Sequence, residues 1–371
     1  MKNIKKKIPI FKLEYEDPFI DKFNLLSKKI FKSSSLSEGS FVSLFENKFA
    51  NFVKANYAVA VTNGTAALEI AFRIIGINNK EVILPTNTFF ATIIAVINAG
   101  GKPIICDNKN KHSPEMDISE IKKKITKNTK AVCVVHVGGI IQEEIQDLIK
   151  ICKEKNIFLV EDAAHAHGSN LNRELNAGTI GDIGCFSFYP TKVLTTGEGG
   201  MITTNKKDIY LKIKEYKNFG RSKNPLILNS LGNNFKISEF TALLGVLELD
   251  RVKTRIKKRN QIVMRYYNNL KNNKNYNVLF QKLGNCAYYK CVVLTKVNAN
   301  KIEKFCKREN IELTGRVWKC PLHKQKIFKK IVNNKKFINA NYFSQHHICP
   351  PNYPEMTLKE VDYVCSVLNK F

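Results

Sequence analysis

From Tyr57 to Thr204 short apolar runs alternate with stretches of amphipathic, helix-length patterning. The apolar runs predict strands at Tyr57 to Val61, Glu81 to Leu84, Pro103 to Cys106, Ala131 to Val135 and Ile157 to Val160, with helical segments between most of them. This alternation predicts an α/β fold whose central sheet is mainly parallel and covered by helices on both faces. Two more short strands, Cys185 to Phe188 and Met201 to Thr204, follow without a full helix between them. Phe240, Leu243, Leu244, Leu247, Val252, Ile256 and Val263 then recur at helical spacing, and Ser238 is placed to cap a long helix. Beyond it the texture changes, with an apolar run at Tyr288 to Thr295, a helical pattern from Lys301 to Glu309 and a proline-bearing loop at Cys320 to His323. The pattern predicts a large α/β domain over residues 1–250, N-terminal segment included, and a small C-terminal α+β domain over residues 251–371 that shares the long linking helix. The N-terminal segment is expected to join the small domain in space.

Composition narrows the class. The chain has 371 residues, 44% of them hydrophobic, enough to bury a substantial core. Its longest apolar stretch, Phe89 to Ile97, falls well short of the ~18 residues of a membrane span, and the basic start at Lys2 to Lys7 is not followed by an apolar signal region. Ten cysteines are scattered singly, with no CxxC spacing, as expected of reduced thiols in a cytoplasmic protein. Sixty Lys and Arg against 32 Asp and Glu give a net charge of +28, which raises the question of a nucleic-acid partner. The basic residues are dispersed, many beside Asn. The densest cluster, Arg251, Lys253, Arg255, Lys257, Lys258 and Arg259, reads as the solvated face of the long helix. Attraction for small anions is the better expectation, with no nucleic-acid partner.

In a parallel α/β sheet, ligands bind at the carboxyl ends of the strands, so the turns there carry the chemistry. Thr62-Asn63-Gly64-Thr65-Ala66-Ala67 leaves a strand and opens a helix, a place where backbone amides and a hydroxyl suit a phosphate. Glu161-Asp162-Ala163-Ala164-His165-Ala166-His167-Gly168 follows the run Ile157 to Val160 and offers a carboxylate able to hold a cationic ring nitrogen. Its two histidines raise a metal site, yet no further ligand set is evident nearby, and no metal is expected. Ser187-Phe188-Tyr189-Pro190-Thr191-Lys192, followed by Gly197-Glu198-Gly199-Gly200, sets a lysine where desolvation would lower its pKa toward a nucleophilic range. Phosphate cradle, carboxylate and lysine are together the three attachments that pyridoxal 5'-phosphate (PLP) requires.

The order and spacing of these turns resemble the DegT/DnrJ/EryC1/StrS family of sugar aminotransferases, PLP enzymes of fold type I. The resemblance runs from Phe45-Glu46 to the segment Pro354 to Val364, and is most specific at residues 161–168 and 187–200. It implies that Lys192 is the Schiff-base lysine and proton carrier, that Asp162 pairs with the pyridine nitrogen, and that Gly64, Thr65 and Ser187 hold the phosphate. It further implies that Phe89 stacks on the ring, that His165 lies near the 3-hydroxyl, and that Asn234 reaches the cofactor phosphate of a partner subunit in a homodimer. Substrate contacts are implied for Arg316 and His323, in a segment that matches only loosely. The chain departs from the family pattern at Gly232-Asn233-Asn234-Phe235-Lys236, which lacks the first aromatic and has Lys for Arg, and at Gly138-Gly139, where many members carry an aromatic.

The implied reaction moves an amino group, from L-glutamate, to a keto carbon of a nucleotide-linked sugar, as in amino-sugar synthesis for surface polysaccharide or glycoconjugate. PLP-dependent sugar dehydratases share the fold, but those nearest this family hold His at the lysine position, and Lys192 favours transamination. A basic regulatory or nucleic-acid-binding protein is the alternative of another class, and it leaves the lysine, carboxylate and phosphate cradle unexplained.

Overall fold

The computed structural model describes residues 7–371 apart from 173, 222, 223, 225, 282, 283, 314 and 333–335. Two helices, α1 (Asp17–Ser33) and α2 (Ser40–Val53), precede the α/β alternation. It then runs β1 (Tyr57–Val61), α3 (Gly64–Ile74), β2 (Glu81–Pro85), α4 (Phe90–Asn98), β3 (Lys102–Cys106), α5 (Ile118–Lys124), β4 (Thr129–Val135), α6 (Ile145–Glu154) and β5 (Phe158–Asp162). A minor hairpin, β6 (Asn170–Leu171) and β7 (Leu175–Asn176), leads to β8 (Ile183–Ser187), β9 (Gly200–Thr204) and α7 (Lys207–Tyr216).

Seven strands form one sheet in the order β1-β9-β8-β5-β4-β2-β3. Successive side chains on a strand face opposite ways, and here both ways lead to apolar cores. Ala58, Ala60, Val132, Val134 and Leu159 enter one cluster, while Val59, Val61, Ala131, Cys133 and Val160 enter the other. The mainly parallel sheet with helices over both faces is therefore what the apolar runs specify. The strands β3, β2, β4, β5 and β8 pair in parallel, and β9 runs antiparallel to β8 and to β1. Two reversals cancel, so β1 points the same way as β5 and β8. The turns that follow β1, β5 and β8 consequently open at one edge of the sheet.

The strand β5 extends two residues past the apolar run and takes in Glu161 and Asp162, which the sequence placed after it. Carboxylates end a strand when they stay solvated; Glu161 is fully buried because its charge is met. Oε1 accepts the amides of Ile180 and Gly181 at 2.8 and 2.7 Å, and Oε2 accepts the Gly178 amide at 2.7 Å and contacts His136 Nε2 at 2.9 Å.

The long helix α8 (Glu239–Leu270) is capped by Ser238, whose Oγ accepts the Thr241 amide at 3.1 Å. Ala242, Val246, Leu249 and Val252 pack in the first sheet cluster, whereas Ile262, Val263, Tyr266 and Leu270 belong to a third cluster. The change of core thus occurs within one unbroken helix. The third cluster is built with β10 (Tyr276–Val278), β11 (Val293–Thr295), α9 (Ala299–Arg308), β12 (His347–Ile348) and α12 (Leu358–Lys370). Ile8 bridges Ile311 and is buried in that cluster, which brings the N-terminal segment alongside. Between α9 and β12 the short helices α10 (Lys329–Val332) and α11 (Ile338–Gln345) return to the large sheet, where Leu322, Phe328, Val332, Phe337 and Ala340 join its second cluster.

The basic stretch of α8 is not one solvated face. Lys253, Lys257 and Lys258 are exposed, but Arg255 and Arg259 are buried. Arg255 donates to Glu248 at 2.9 Å and to Glu355 at 3.1 Å, and Arg259 donates to the Asn352 carbonyl. Helical spacing alone put all six on the surface; a buried carboxylate 7 positions away and a half-buried one 100 positions away drew Arg255 inward.

Lys217, at the end of α7, is buried, and its Nζ lies 2.9 Å from Glu38, 3.2 Å from Glu46 and 3.2 Å from the Ala60 carbonyl. Only the lysine end of this group is buried: without it Glu38 turns to solvent and Glu46 keeps the Ala60 amide, so the cost falls between the ~0.2–1 kcal/mol of an exposed pair and the ~3–5 kcal/mol of breaking a buried one. Lys217→Met is therefore expected to lower unfolding stability by about 1–2 kcal/mol in urea titrations, and an unchanged midpoint would contradict this role.

Candidate active site

A cavity of about 580 Å³ opens at the sheet edge where the three turns converge. Gly64, Thr65, Phe89, Asp162, His165, Ser187, Lys192 and Arg316 all line it, drawn together from across the chain. Asn234 and His323 are not among its lining residues. Asn234 is exposed on the segment leading into α8. The His323 ring instead bonds Thr86 Oγ1 at 2.7 Å and Asn341 at 3.0 Å, and stacks on Phe337.

The α3 N-terminus forms one wall. Asn63 caps it by accepting the Ala66 amide at 2.8 Å, and the Gly64 and Thr65 backbone borders the cavity. A Cβ at Gly64 would lie 2.6 Å from Ser187 Cβ, so only glycine lets the helix start approach the end of β8 this closely. Amides at a helix start beside a serine hydroxyl form a cradle for a phosphate.

Asp162 ends β5 on the cavity side. Oδ2 accepts Thr92 Oγ1 at 2.9 Å and Oδ1 accepts the Ala164 amide at 3.2 Å. Thr92 Oγ1 lies 2.7 Å from Thr88 Oγ1, which makes Thr88 the donor in that pair. Burial raises the Asp162 pKa, opposed by the Thr92 and Ala164 hydrogen bonds and by the charge of Lys192. Lys192 lies in the β8–β9 connection with its Nζ 4.7 Å from the centre of the Tyr289 ring. Burial lowers its pKa from 10.5 to about 8, against the opposing pull of Asp162 and assisted by Lys290.

The two histidines of the 161–168 stretch do different work. His165 lines the cavity, where its Nδ1 accepts the Gly138 amide at 3.3 Å, its ring stacks 5.5 Å from Trp318, and burial keeps the imidazole neutral. His167 faces the core between Phe186 and Phe188, its Nε2 donating to the Ser187 carbonyl at 3.0 Å, and burial pushes its pKa to about 3. Among the described residues no group of three or more His, Cys, Asp or Glu is placed to hold a metal ion.

Arg316 reaches the cavity rim with its guanidinium already engaged: it pairs with Glu303 at 3.1 and 3.2 Å, and donates to Asn300 and to the Ser344 carbonyl at 3.0 Å. Thr92, Tyr289, Lys290 and Trp318 belong to the site or support it and were not read from the sequence. Thr92 lies one helical turn beyond Thr88-Phe89, so that pair offered a signal for it. Tyr289 and Lys290 sit in the run Tyr288 to Thr295, which read only as apolar, and Trp318 sits in the loosely matching segment between Arg316 and His323, where nothing local set it apart.

Lys192 should titrate as a nucleophile. Trapping of the apo-protein with a small aldehyde and cyanoborohydride, followed at Lys192 by peptide mass spectrometry, should be half-maximal near pH 8, where the neutral amine becomes the major form. Asp162→Asn should move that midpoint down, because the carboxylate favours the ammonium form. A wild-type midpoint near 10.5 would show that the lysine is solvated.

The sequence profile of the DegT/DnrJ/EryC1/StrS aminotransferase family matches residues 20–369. A GDP-perosamine synthase of Escherichia coli O157:H7 is 30% identical over 341 residues, covering 90% of this chain and 91% of its own. A UDP-4-amino-4,6-dideoxy-N-acetyl-beta-L-altrosamine transaminase of Campylobacter jejuni serotype O:23/36 is 28% identical over 349 residues, 92% of each chain. Helicobacter pylori PseC, an aminotransferase involved in the biosynthesis of pseudoaminic acid, has the same fold, with a TM-score of 0.89, 22% identity, and coverage of 98% of this chain and 99% of its own. The family's cofactor, PLP, suits what lines the cavity: a glycine-walled cradle for its phosphate, a buried carboxylate for its ring nitrogen and a lysine of lowered pKa for its aldehyde. Matched over nearly its whole length, the chain belongs to the DegT/DnrJ/EryC1/StrS family of PLP-dependent aminotransferases.

Proposed function

We propose that the protein transfers an amino group from L-glutamate to a keto carbon of a nucleotide-linked sugar, acting as a cytoplasmic homodimer in amino-sugar synthesis for surface polysaccharide or glycoconjugate. The observation that carries this reading is the convergence of Lys192, Asp162 and the Gly64–Ser187 cradle on one cavity. The names of the relatives, a GDP-sugar synthase and a UDP-sugar transaminase, support the substrate class.

When bound, PLP supplies an aldehyde carbon and a ring that accepts electrons. Gly64, Thr65 and Ser187 would hold its phosphate, Asp162 its ring nitrogen, Lys192 its aldehyde, and Phe89 and His165 would border the ring. Lys192 Nζ, neutral above about pH 8, has a lone pair to offer and afterwards carries a proton between donor and acceptor carbons. Asp162 stays oriented because Thr92 and the Ala164 amide occupy its oxygens. His165, neutral and bonded at Nδ1, keeps its remaining N–H at Nε2 available to an oxygen in the cavity. Tyr289 and Trp318 line the site with aromatic surface, and the His165 ring stacks against both.

The homodimer rests on Asn234, exposed beside a segment whose Leu226 and Leu231 are each 90% exposed. An apolar, outward-facing segment of that kind is suited to burial against a second copy in a two-fold arrangement. Ten cysteines, all but Cys320 buried, suit a reducing compartment.

Purified protein given PLP should turn yellow, and borohydride should fix the cofactor to Lys192. With L-glutamate it should aminate at least one of the UDP-, dTDP-, GDP- or CMP-linked keto sugars, read by mass spectrometry. Lys192→Ala should abolish both the fixed cofactor and turnover; retention of both would sink the assignment. Mixing Lys192→Ala with Asn234→Ala subunits after reversible dissociation should restore one intact site per hybrid. Verified hybrids without activity would count against sites shared between subunits.

A further inference from the structure

Tyr288 and Tyr289 are neighbours in the chain that serve different cores. Tyr288 is buried in the third cluster with Cys291 and Val293, and its carbonyl accepts Asn352 Nδ2 at 2.6 Å. Tyr289 packs against the first sheet cluster and lines the cavity. Two glycines admit it there. Gly138 has φ +69°, and a Cβ on it would lie 3.2 Å from Val292 Cγ2 and 3.3 Å from the Lys290 carbonyl oxygen. Gly139 has φ +99°, and a Cβ on it would lie 2.8 Å from the His165 carbonyl oxygen and 3.1 Å from the Tyr288 amide nitrogen. The pair therefore lets the segment bearing both tyrosines close onto the turn that holds His165.

From that place one side chain meets three others. The Tyr289 hydroxyl lies 2.9 Å from Thr191 Oγ1, on the residue just before Lys192. Lys192 Nζ sits over the ring, 4.7 Å from its centre, and the His165 ring lies 4.2 Å away, tilted by 35°. Burial raises the phenol pKa, against the Thr191 bond and the charge of Arg259 on α8, so the hydroxyl keeps its proton. The other titratable groups that face Lys192 are Asp162 at the end of β5, His165 and His167 in the turn after it, and Lys290, whose ammonium lies 5.1 Å from the centre of the same ring. Asp162 attracts the Lys192 ammonium and Lys290 repels it. An aromatic face also attracts a cation, so the ring adds to the pull of Asp162.

We propose that Tyr289 is the positioning residue of Lys192: its ring holds the ammonium group, and its hydroxyl, through Thr191, holds the stretch of backbone that carries the lysine. The two contacts act on different things. The ring acts on the charge of Nζ, and the hydroxyl acts on where the lysine's attachment point lies. The value of both to amino-group transfer rests on the aminotransferase reading, in which Lys192 must meet the cofactor aldehyde and afterwards carry a proton. The contact with the ring does not depend on that reading.

The two contacts are separable in the full-length protein. For the ring, propanal and cyanoborohydride trap Lys192 across a pH series, read by peptide mass spectrometry. Tyr289→Leu and Tyr289→Met remove the ring in two ways and should each lower the midpoint by about one pH unit, the size of a partly desolvated cation–π contact. Tyr289→Phe keeps the ring and should leave the midpoint near pH 8. For the hydroxyl, the rate of PLP capture is followed by absorbance. Tyr289→Phe and Thr191→Val each delete one end of the same hydrogen bond and should each slow capture about fivefold, with the double variant no slower than either. A midpoint that stays or rises without the ring, or that falls equally in Tyr289→Phe, overturns the ring's role. Unchanged capture in both single variants, or losses that multiply in the double, overturns that of the hydroxyl. A wild-type protein that never fixes PLP at Lys192 would instead overturn the aminotransferase reading, and the propanal midpoints would still score the ring.

Discussion

Desolvation at one edge of the sheet governs this molecule's chemistry. Burial drives the Asp162 pKa up and the Lys192 pKa down, so each group loses part of its preference for the charged form. Their mutual attraction offsets part of that effect on both. What remains is a lysine close to half neutral near pH 8 and a carboxylate that relies on Thr92 and the Ala164 amide to stay ionised. Much of the surrounding fold sustains this balance. Glu161 beside it grips the 178–181 turn, and His167 holds the Ser187 carbonyl.

The parts of this arrangement that could be read from the sequence are those whose neighbours in space are also neighbours in sequence. The turns at 62–65, 161–168 and 187–200 each carry their own signal, because a strand, a glycine and a functional side chain lie within a few positions of one another. Their convergence follows from strand direction. The sequence did not disclose the reversal of β9 that sets β1 parallel to β8, since a short apolar run has no arrow. Nor did it mark the end of β5, where burial of Glu161 depends on amides 17 to 20 positions away.

Other features depended on partners remote in the chain. Arg255 and Arg259 fall at the same helical spacing as the exposed lysines, and only Glu248, Glu355 and Asn352 distinguish them. Arg316 and His323 shared a segment and an expectation. Their surroundings separate them: Arg316 reaches the cavity with its guanidinium spoken for, and His323 is held between Thr86, Asn341 and Phe337. Gly138 and Gly139, a departure from the family pattern, acquire a reason once the segment at 288–292 is seen to lie against them.

The reversal of β9 also fixes how Lys192 is carried. A parallel partner for β8 would require a crossover, leaving the lysine at the free end of one strand. Here Ser187 pairs with Gly200, Phe188 donates its amide to Gly199, and Thr196 donates its amide back to Phe188. Residues 188–199 are thus a short arch pinned at both feet to adjacent strands. The arch cannot translate without unzipping a pair of strands from the middle of the sheet. Any reach of the Lys192 ammonium within the cavity is left to the torsions of its own four methylene groups, a swinging arm on a fixed mount.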